Sequence, residues 1–119
     1  MVALATYRRI DPSRLAAFSP VVIGQMLRGD LGFTGVVVSD DLGATEAVAA
    51  IPPGDRAVDF LEAGGDMIIS KTLDPAVAMA RTLVSKASRV RSFRSLVDAA
   101  TLRVLAAKEA FGLLPCASV

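Results

Sequence analysis

Three short apolar runs recur along the chain at intervals of roughly 32 residues, close to the size of a βαβ unit. Each run is apolar through its middle and is bounded by polar residues or glycine. Runs of this length without alternation are typical of strands that are buried on both faces of a parallel sheet. We therefore predict three parallel strands, over Val2–Thr6, Gly35–Ser39 and Asp66–Ser70.

The segments between and after these runs carry apolar residues at helical spacing, with caps and stops at their ends. The predicted helices are one opened by Ser19–Pro20 and closed by Gly29 and Gly32, one capped by Asp55 and stopped by Gly64–Gly65, one opened by Asp74–Pro75 and running to about Ala87, and one carrying Leu96 to Ala107 and ending at Gly112. A polar stretch, Ser88–Ser95, separates the last two. The order β-α-β-α-β-α-α predicts an α/β fold with right-handed crossovers.

The composition is that of a single globular unit. The 119 residues are 53% hydrophobic and 21% charged, which excludes disorder. The net charge of +1 offers no electrostatic footprint for nucleic acid or for an anionic membrane. No apolar run approaches the roughly 18 residues that a membrane span requires. We expect one domain over residues 1–114 and a tail over 115–119.

The location of the protein stays open at this point. The first residues lack the basic and long apolar regions of a signal peptide, so the default is cytoplasmic. A signal upstream in a full-length form would instead make the protein secreted or a lipoprotein.

Candidate chemistry lies where the predicted strands end, because parallel α/β folds bind ligands at the carboxyl ends of their strands. Tyr7 follows the first strand, the pair Asp40–Asp41 follows the second, and Lys71 follows the third. The second and third strands belong to adjacent βα units, so Asp40 and Lys71 should lie close together at the carboxyl edge of the sheet. Tyr7 and Lys71 are candidate substrate contacts, or solvated loop residues.

The pair Asp40–Asp41 is the sharpest of these features. A carboxylate at a strand end is fixed in direction, as a nucleophile or a metal ligand must be. The structural alternative is that Asp41 caps the following segment while Asp40 accepts hydrogen bonds from loop amides. The chain contains no histidine, so a mechanism within it must use carboxylates, hydroxyls, lysine or arginine.

The stretch Met26–Leu42, with its core Gly-Phe-Thr-Gly-Val-Val-Val-Ser-Asp-Asp, resembles the nucleophile region of family 3 glycoside hydrolases, and within them the β-N-acetylhexosaminidases. Ala5–Pro12 is similar to the preceding strand of that family. Ala57–Ile69 is similar to the following helix and last barrel strand, and Arg103–Leu113 to the closing helix. The resemblance covers nearly the whole chain.

The resemblance implies that Asp40 is the nucleophile of a retaining glycosidase that hydrolyses terminal β-linked N-acetylhexosamine, as in peptidoglycan sugar metabolism, without a metal or other cofactor. It also implies a (β/α)8 barrel, which requires at least roughly 200 residues. This chain would supply about the last three βα units, with a C-terminal helix pair. Its partners would be a carbohydrate substrate and the rest of the barrel, or a second copy paired through open sheet edges.

The resemblance further implies a histidine as general acid/base, held with an aspartate on a mobile loop, and a Lys-His pair and an arginine that hold the sugar. A chain without histidine cannot contain these motifs. We therefore expect this chain to be an incomplete and inactive piece on its own, because loss of general acid/base catalysis alone costs roughly 10² to 10⁴ in rate.

Two alternatives from other classes stay open. A receiver-like phosphoacceptor domain would use Asp40–Asp41 to bind Mg²⁺ and Lys71 beside it, but its acidic pair should follow the first strand. A non-catalytic α/β module would pair its open sheet edge with another chain.

Overall fold

Two short parallel strands and three long α-helices dominate residues 1–114, the part of the chain that the computed structural model describes. The elements in order are a 3-10 turn (Ala16–Phe18), a π-helix (Val21–Asp30), β1 (Val38–Asp41), a 3-10 turn (Glu46–Val48), α1 (Pro53–Glu62), β2 (Met67–Ile69), α2 (Leu73–Arg89) and α3 (Arg91–Ala110). The α/β class with parallel strands is confirmed. The predicted tail lies outside the described residues. Within them, no helix combines the length and the apolarity that crossing a bilayer requires.

The first predicted strand, Val2–Thr6, is wrong as a strand. Val2 alone joins the sheet, through an isolated parallel bridge to Ser39 on β1. Beyond it the carbonyl of Ala5 accepts a hydrogen bond from the N–H of Ala16 (2.8 Å), so the backbone bonds to the following turn instead of extending the ladder. The sheet is therefore two strands and one bridge, with β1 in the middle.

β1 lies further along the chain than the predicted Gly35–Ser39. The N–H of Val37 donates to Oδ2 of Asp66 (2.7 Å), and its carbonyl accepts from the backbone N–H groups of Asp66 and Met67. These bonds tie Val37 to the turn before β2, so the regular strand begins one residue later. Asp40 and Asp41 are consequently the last residues of β1 instead of following it. β2 is likewise shorter than its prediction, because Asp66 is used in this turn.

The starts of α1 and α2 differ from the capping prediction. Their N-cap positions are Pro52 and Thr72, and neither side chain makes a capping hydrogen bond. Asp55 and Asp74, which were predicted to cap these helices, lie in the first turn. In the first turn the negative charges of Asp55 and Asp74 interact favourably with the positive end of the helix dipole. Neither carboxylate accepts a capping hydrogen bond from a backbone N–H group.

The helix pair at the end of the described chain is longer than predicted. The polar stretch Ser88–Ser95 is helical except at Val90, whose extended backbone (φ −118°, ψ 104°) separates α2 from α3. Phe93 is buried and packs the first turn of α3 against the core. The sequence did not predict this helical turn, because the residues around Phe93 are polar. The predicted end near Gly112 is confirmed, and this glycine adopts the left-handed conformation (φ 67°) of a helix stop.

The helix after Ser19 forms where it was predicted, but with wider turns. Ser19 Oγ accepts a hydrogen bond from the N–H of Val22 (3.2 Å), as expected of a capping serine. At the other end the N–H of Leu31 donates to the carbonyl of Met26, five residues back (2.9 Å), which is π-helical spacing. Gly24 inside this segment carries no Cβ that would resist the wider turn.

Asp66 stands at the amino end of β2 and joins four parts of the fold. Its side chain is fully buried. Oδ2 accepts from Arg28 Nη2 (2.6 Å) and from the N–H of Val37, and Oδ1 accepts from Arg103 Nη1 (2.6 Å). The carboxylate thus ties the π-helix, α3 and the residue before β1 to the start of β2, at the end of the sheet opposite to Asp40.

The core is one buried cluster that joins the residues flanking β1 to the π-helix and to all three α-helices, and Phe60 on α1 is its largest fully buried side chain. A methyl group at Gly65 would overlap the Phe60 ring, which is fully buried. We expect Gly65→Ala to lower the free energy of unfolding by about 1–3 kcal/mol, as overpacking does. At Gly29 the same methyl group would find its nearest neighbour at 3.5 Å, so Gly29→Ala should cost nothing. Urea unfolding of both variants tests this, and equal losses would contradict it.

Candidate functional site

Asp40 presents an exposed carboxylate at the carboxyl end of β1. The residues on either side of it, Ser39 and Asp41, are buried. Asp40 Oδ1 accepts a hydrogen bond from the backbone N–H of Asp41 (2.7 Å), and Oδ2 has no hydrogen-bond partner among residues 1–114. One carboxylate oxygen is therefore anchored to the backbone, while the other is open to solvent.

A bulge in β1 gives this carboxylate its direction. Val38 pairs with Met67 and Asp41 pairs with Ile69, so β1 advances three residues where β2 advances two. Ser39 Oγ accepts the N–H of Ile69 (3.0 Å) inside the ladder. Bulges bend the strand and re-aim a side chain, and they are frequent beside active sites. Here the extra residue leaves the exposed aspartate pointing away from the sheet between two inward side chains.

Asp41 is buried and serves as an acceptor for three backbone amides. Its Oδ1 accepts from the N–H groups of Gly43 and Lys71 (both 2.9 Å), and its Oδ2 accepts from that of Ala44 (3.2 Å). The hydrogen bond from Lys71, with those from Gly43 and Ala44, holds the pKa of Asp41 below its ordinary value of 3.8 against the opposing effect of burial. Asp41 thus caps the following segment, as the structural alternative proposed, while Asp40 accepts one amide only.

Arg56 on α1 completes this part of the structure, and sequence reasoning missed it. Its buried guanidinium donates from Nε to the carbonyl of Ile51 (2.6 Å) and from Nη1 to the carbonyls of Leu42 (2.7 Å) and Gly43 (3.1 Å). The available signal was spacing: Arg56 precedes the core residue Phe60 by one helical turn and shares its face. A charged residue on a buried face requires polar partners.

Lys71 and Tyr7 lie in different surroundings. The backbone of Lys71 is bonded to Asp41, so the loops after β1 and β2 do meet at one edge of the sheet, as predicted. Tyr7 is half exposed and lines an apolar groove of 370 Å³ with π-helix residues such as Met26 and with Leu31 just beyond that helix. Neither Asp40 nor Lys71 lines this groove.

A second cavity, of 520 Å³, lies between α1, the turn Ala16–Phe18 and the segment around Ile51. Arg14, Asp59 and Glu62 contribute to its lining. Burial, with a smaller contribution from the charge of Glu62, raises the pKa of Asp59 above 3.8. None of the predicted site residues lines this cavity, so it is separate from the carboxylates of β1.

Comparison with known proteins identifies relatives over most of the chain. A family model described as the glycosyl hydrolase family 3 N terminal domain matches residues 1–107. A protein named beta-hexosaminidase from Alkalilimnicola ehrlichii is 48% identical over 69 residues, which make up 58% of this chain and 20% of that protein. The chain therefore spans about a fifth of the length of the curated relatives it matches.

Solved structures agree with this match. A β-N-acetylhexosaminidase from Beutenbergia cavernae superposes with a TM-score of 0.83 and 46% identity, over 90% of this chain and 32% of that one. A family 3 β-N-acetylglucosaminidase from a Paenibacillus species superposes with a TM-score of 0.78 and 32% identity, over 94% of this chain and 22% of that one. The described fold thus corresponds to a minor part of each solved chain.

Proposed function

Because the chain belongs to glycosyl hydrolase family 3, through that family's N-terminal domain, we propose that Asp40 is the nucleophile of a retaining glycosidase. The substrate class is terminal β-linked N-acetylhexosamine, as in peptidoglycan sugars. This choice rests on the names of the matched relatives, which are hexosaminidases and a glucosaminidase. The family match disfavours the receiver-like alternative.

The observation that carries the proposal is the difference between the two aspartates of β1. Asp41 is buried, and both of its oxygens are used by backbone amides. Asp40 is exposed and keeps Oδ2 available while Oδ1 is held by the backbone. A nucleophile requires an accessible oxygen in a fixed direction, and Asp40 meets both requirements.

The proposed reaction has two displacement steps. Asp40 Oδ2 attacks the anomeric carbon, the bond from this carbon to the glycosidic oxygen breaks, and a general acid protonates the departing oxygen. The product is an ester between the sugar and Asp40. A water molecule then attacks the same carbon and loses a proton to the base, which releases the free sugar and the Asp40 carboxylate with retained configuration.

The family resemblance implies that the general acid of this reaction is a histidine, and the 119 residues contain none. The general acid of the proposed reaction would therefore come from outside these residues. Without it, leaving groups that require protonation depart roughly 10² to 10⁴ times more slowly. We therefore propose that this chain alone is inactive in the hydrolysis of ordinary glycosides, and that Asp40 forms the sugar ester only with activated donors.

We also propose that the chain supplies about the last three βα units of a (β/α)8 barrel. The solved relatives are three to five times as long as the part they share with it. The short sheet supports the proposal: among the described residues β2 pairs with β1 alone, and on its other side β1 has one isolated bridge, to Val2. The rest of the barrel, or a second copy of the chain, would pair with these edges.

Two donors test the catalytic part of the proposal. A 2,4-dinitrophenyl N-acetyl-β-glucosaminide needs no protonation of its leaving group, whereas the methyl glycoside does. We expect about one equivalent of dinitrophenolate per chain from the first and no detectable sugar from the second, in line with the missing acid. Sustained hydrolysis of the methyl glycoside would show that a general acid is present. No release from the activated donor would contradict a nucleophilic role for Asp40.

A further inference from the structure

The loop after β1 is held from two sides by opposite charges. The N–H of Gly43 donates to Asp41 Oδ1 (2.9 Å), and the carbonyl of the same residue accepts from Arg56 Nη1 (3.1 Å). A methyl group at Gly43 would collide with Ser70 Oγ, so this loop lies directly against the loop after β2. The carboxylate of Asp41 joins the two loops by accepting the N–H of Lys71 as well.

The same residue controls the direction of Asp40. The N–H that holds Asp40 Oδ1 is the backbone amide of Asp41 (2.7 Å). Asp41 cannot rotate this peptide group freely, because its own side chain is fixed by Gly43, Ala44 and Lys71. The position of the nucleophile candidate therefore depends on a buried carboxylate next to it in sequence.

We propose that Asp41 is a positioning residue, whose buried carboxylate sets the direction of Asp40 and fixes the loop that carries Lys71. This inference rests on the proposed role of Asp40. Asp41 itself does not touch the sugar, since both of its oxygens face the backbone.

The site requires a carboxylate rather than an amide of the same shape. Three N–H donors meet two oxygens, so in Asp41→Asn the side-chain N–H₂ group would face at least one backbone N–H. The charged groups around Asp41 are Asp40 on the same strand, Lys71 in the loop after β2, and Arg56 on α1, which donates to carbonyls of the same loop. The positive charge of Lys71 favours the ionised form of Asp41.

The first measurement is the rate of sugar-ester formation with the dinitrophenyl donor. We expect Asp41→Asn to lower the rate at saturating donor by about 10- to 100-fold, as a misplaced reacting group does, with little change in the half-saturation concentration. The matched control is Asp11→Asn. Asp11 is also buried, and its carboxylate accepts from Ser13 N–H, Ser13 Oγ and Ser19 Oγ but from no residue of β1 or of the loops after β1 and β2. Equal rates for Asp41→Asn and wild type would overturn the positioning role and leave the nucleophile proposal intact.

The second measurement does not depend on the sugar. The pKa of Asp41 lies below 3.8, so its three hydrogen bonds persist at neutral pH and are lost together as the pH falls through that lower value. We expect the NMR amide signals of Gly43, Ala44 and Lys71 to titrate with one shared midpoint in wild type and in Asp11→Asn, and to lose this titration in Asp41→Asn. Separate midpoints would overturn the inference even if Asp40 were never labelled, and a shared one would support it.

Discussion

Replacing Asp66 with alanine is expected to lower the free energy of unfolding by about 3–5 kcal/mol, the range for breaking a buried ion pair by removing one partner. The loss would leave the guanidinium groups of Arg28 and Arg103 without their carboxylate and the N–H of Val37 without its acceptor. Total stabilities of single domains are only about 5–15 kcal/mol, so this one change removes a large fraction. Denaturant unfolding followed by circular dichroism measures it.

Asp98→Ala is the matched control for this variant. Asp98 pairs with Arg94 on the exposed face of α3 at 3.9 Å, and its side chain is 71% exposed. Exposed pairs of this kind contribute about 0–1 kcal/mol. A loss below about 1 kcal/mol in Asp66→Ala, or the same loss in both variants, would show that the Asp66 contacts do not hold the sheet, π-helix and α3 together.

Asp40→Ala is expected to lower the rate of sugar-ester formation with the activated donor by at least about 10³-fold, because the attacking oxygen is removed and Asp41 is not free to replace it. The free energy of unfolding should change by no more than about 0.5 kcal/mol, since the Asp40 side chain is exposed. The rate of ester formation is measured from the absorbance of the dinitrophenolate that is released over time.

Asp30→Ala controls for the loss of an exposed aspartate. Asp30 ends the π-helix and is exposed, and we expect its replacement to leave the rate of ester formation unchanged. If Asp40→Ala reacted as fast as Asp30→Ala, the nucleophile would have to be another group.

Local patterns in the sequence predicted the class of fold and the edge of the sheet that carries the chemistry. Helix-ending glycines and the spacing of apolar residues depend only on residues within one or two helical turns along the chain. The order of the helices, β1 and β2, and the ends of α1 at Gly64 and of α3 at Gly112, were therefore predicted correctly. The acidic pair was placed correctly at the carboxyl end of a buried strand. The family resemblance assigned the nucleophile role to Asp40, but local patterns alone could not separate two adjacent aspartates. Which of the two side chains points inward depends on how β1 pairs within the sheet.

Features that require partners far along the chain were missed. The bulge in β1 exists only in relation to β2, and Ser39 enters the ladder through its side chain, a contact 30 residues apart. Arg28 and Arg103 reach Asp66 across 38 and 37 residues. The first strand was overpredicted for the same reason: a run of apolar residues forms a strand only where a neighbour accepts its hydrogen bonds, and β1 provides this at Val2 alone.

The central claim is that Asp40 forms the covalent bond to the sugar, and mass mapping of the trapped chain tests it most directly. A 5-fluoro N-acetyl-β-glucosaminyl fluoride would form the ester and release it slowly. Trypsin cuts after Arg28 and Arg56 and leaves residues 29–56 as one peptide, which contains both aspartates of β1. Fragmentation of this peptide should place the added sugar mass on Asp40. Sugar on Asp41 or on another residue, or an unmodified peptide after prolonged exposure to the donor, would contradict the claim.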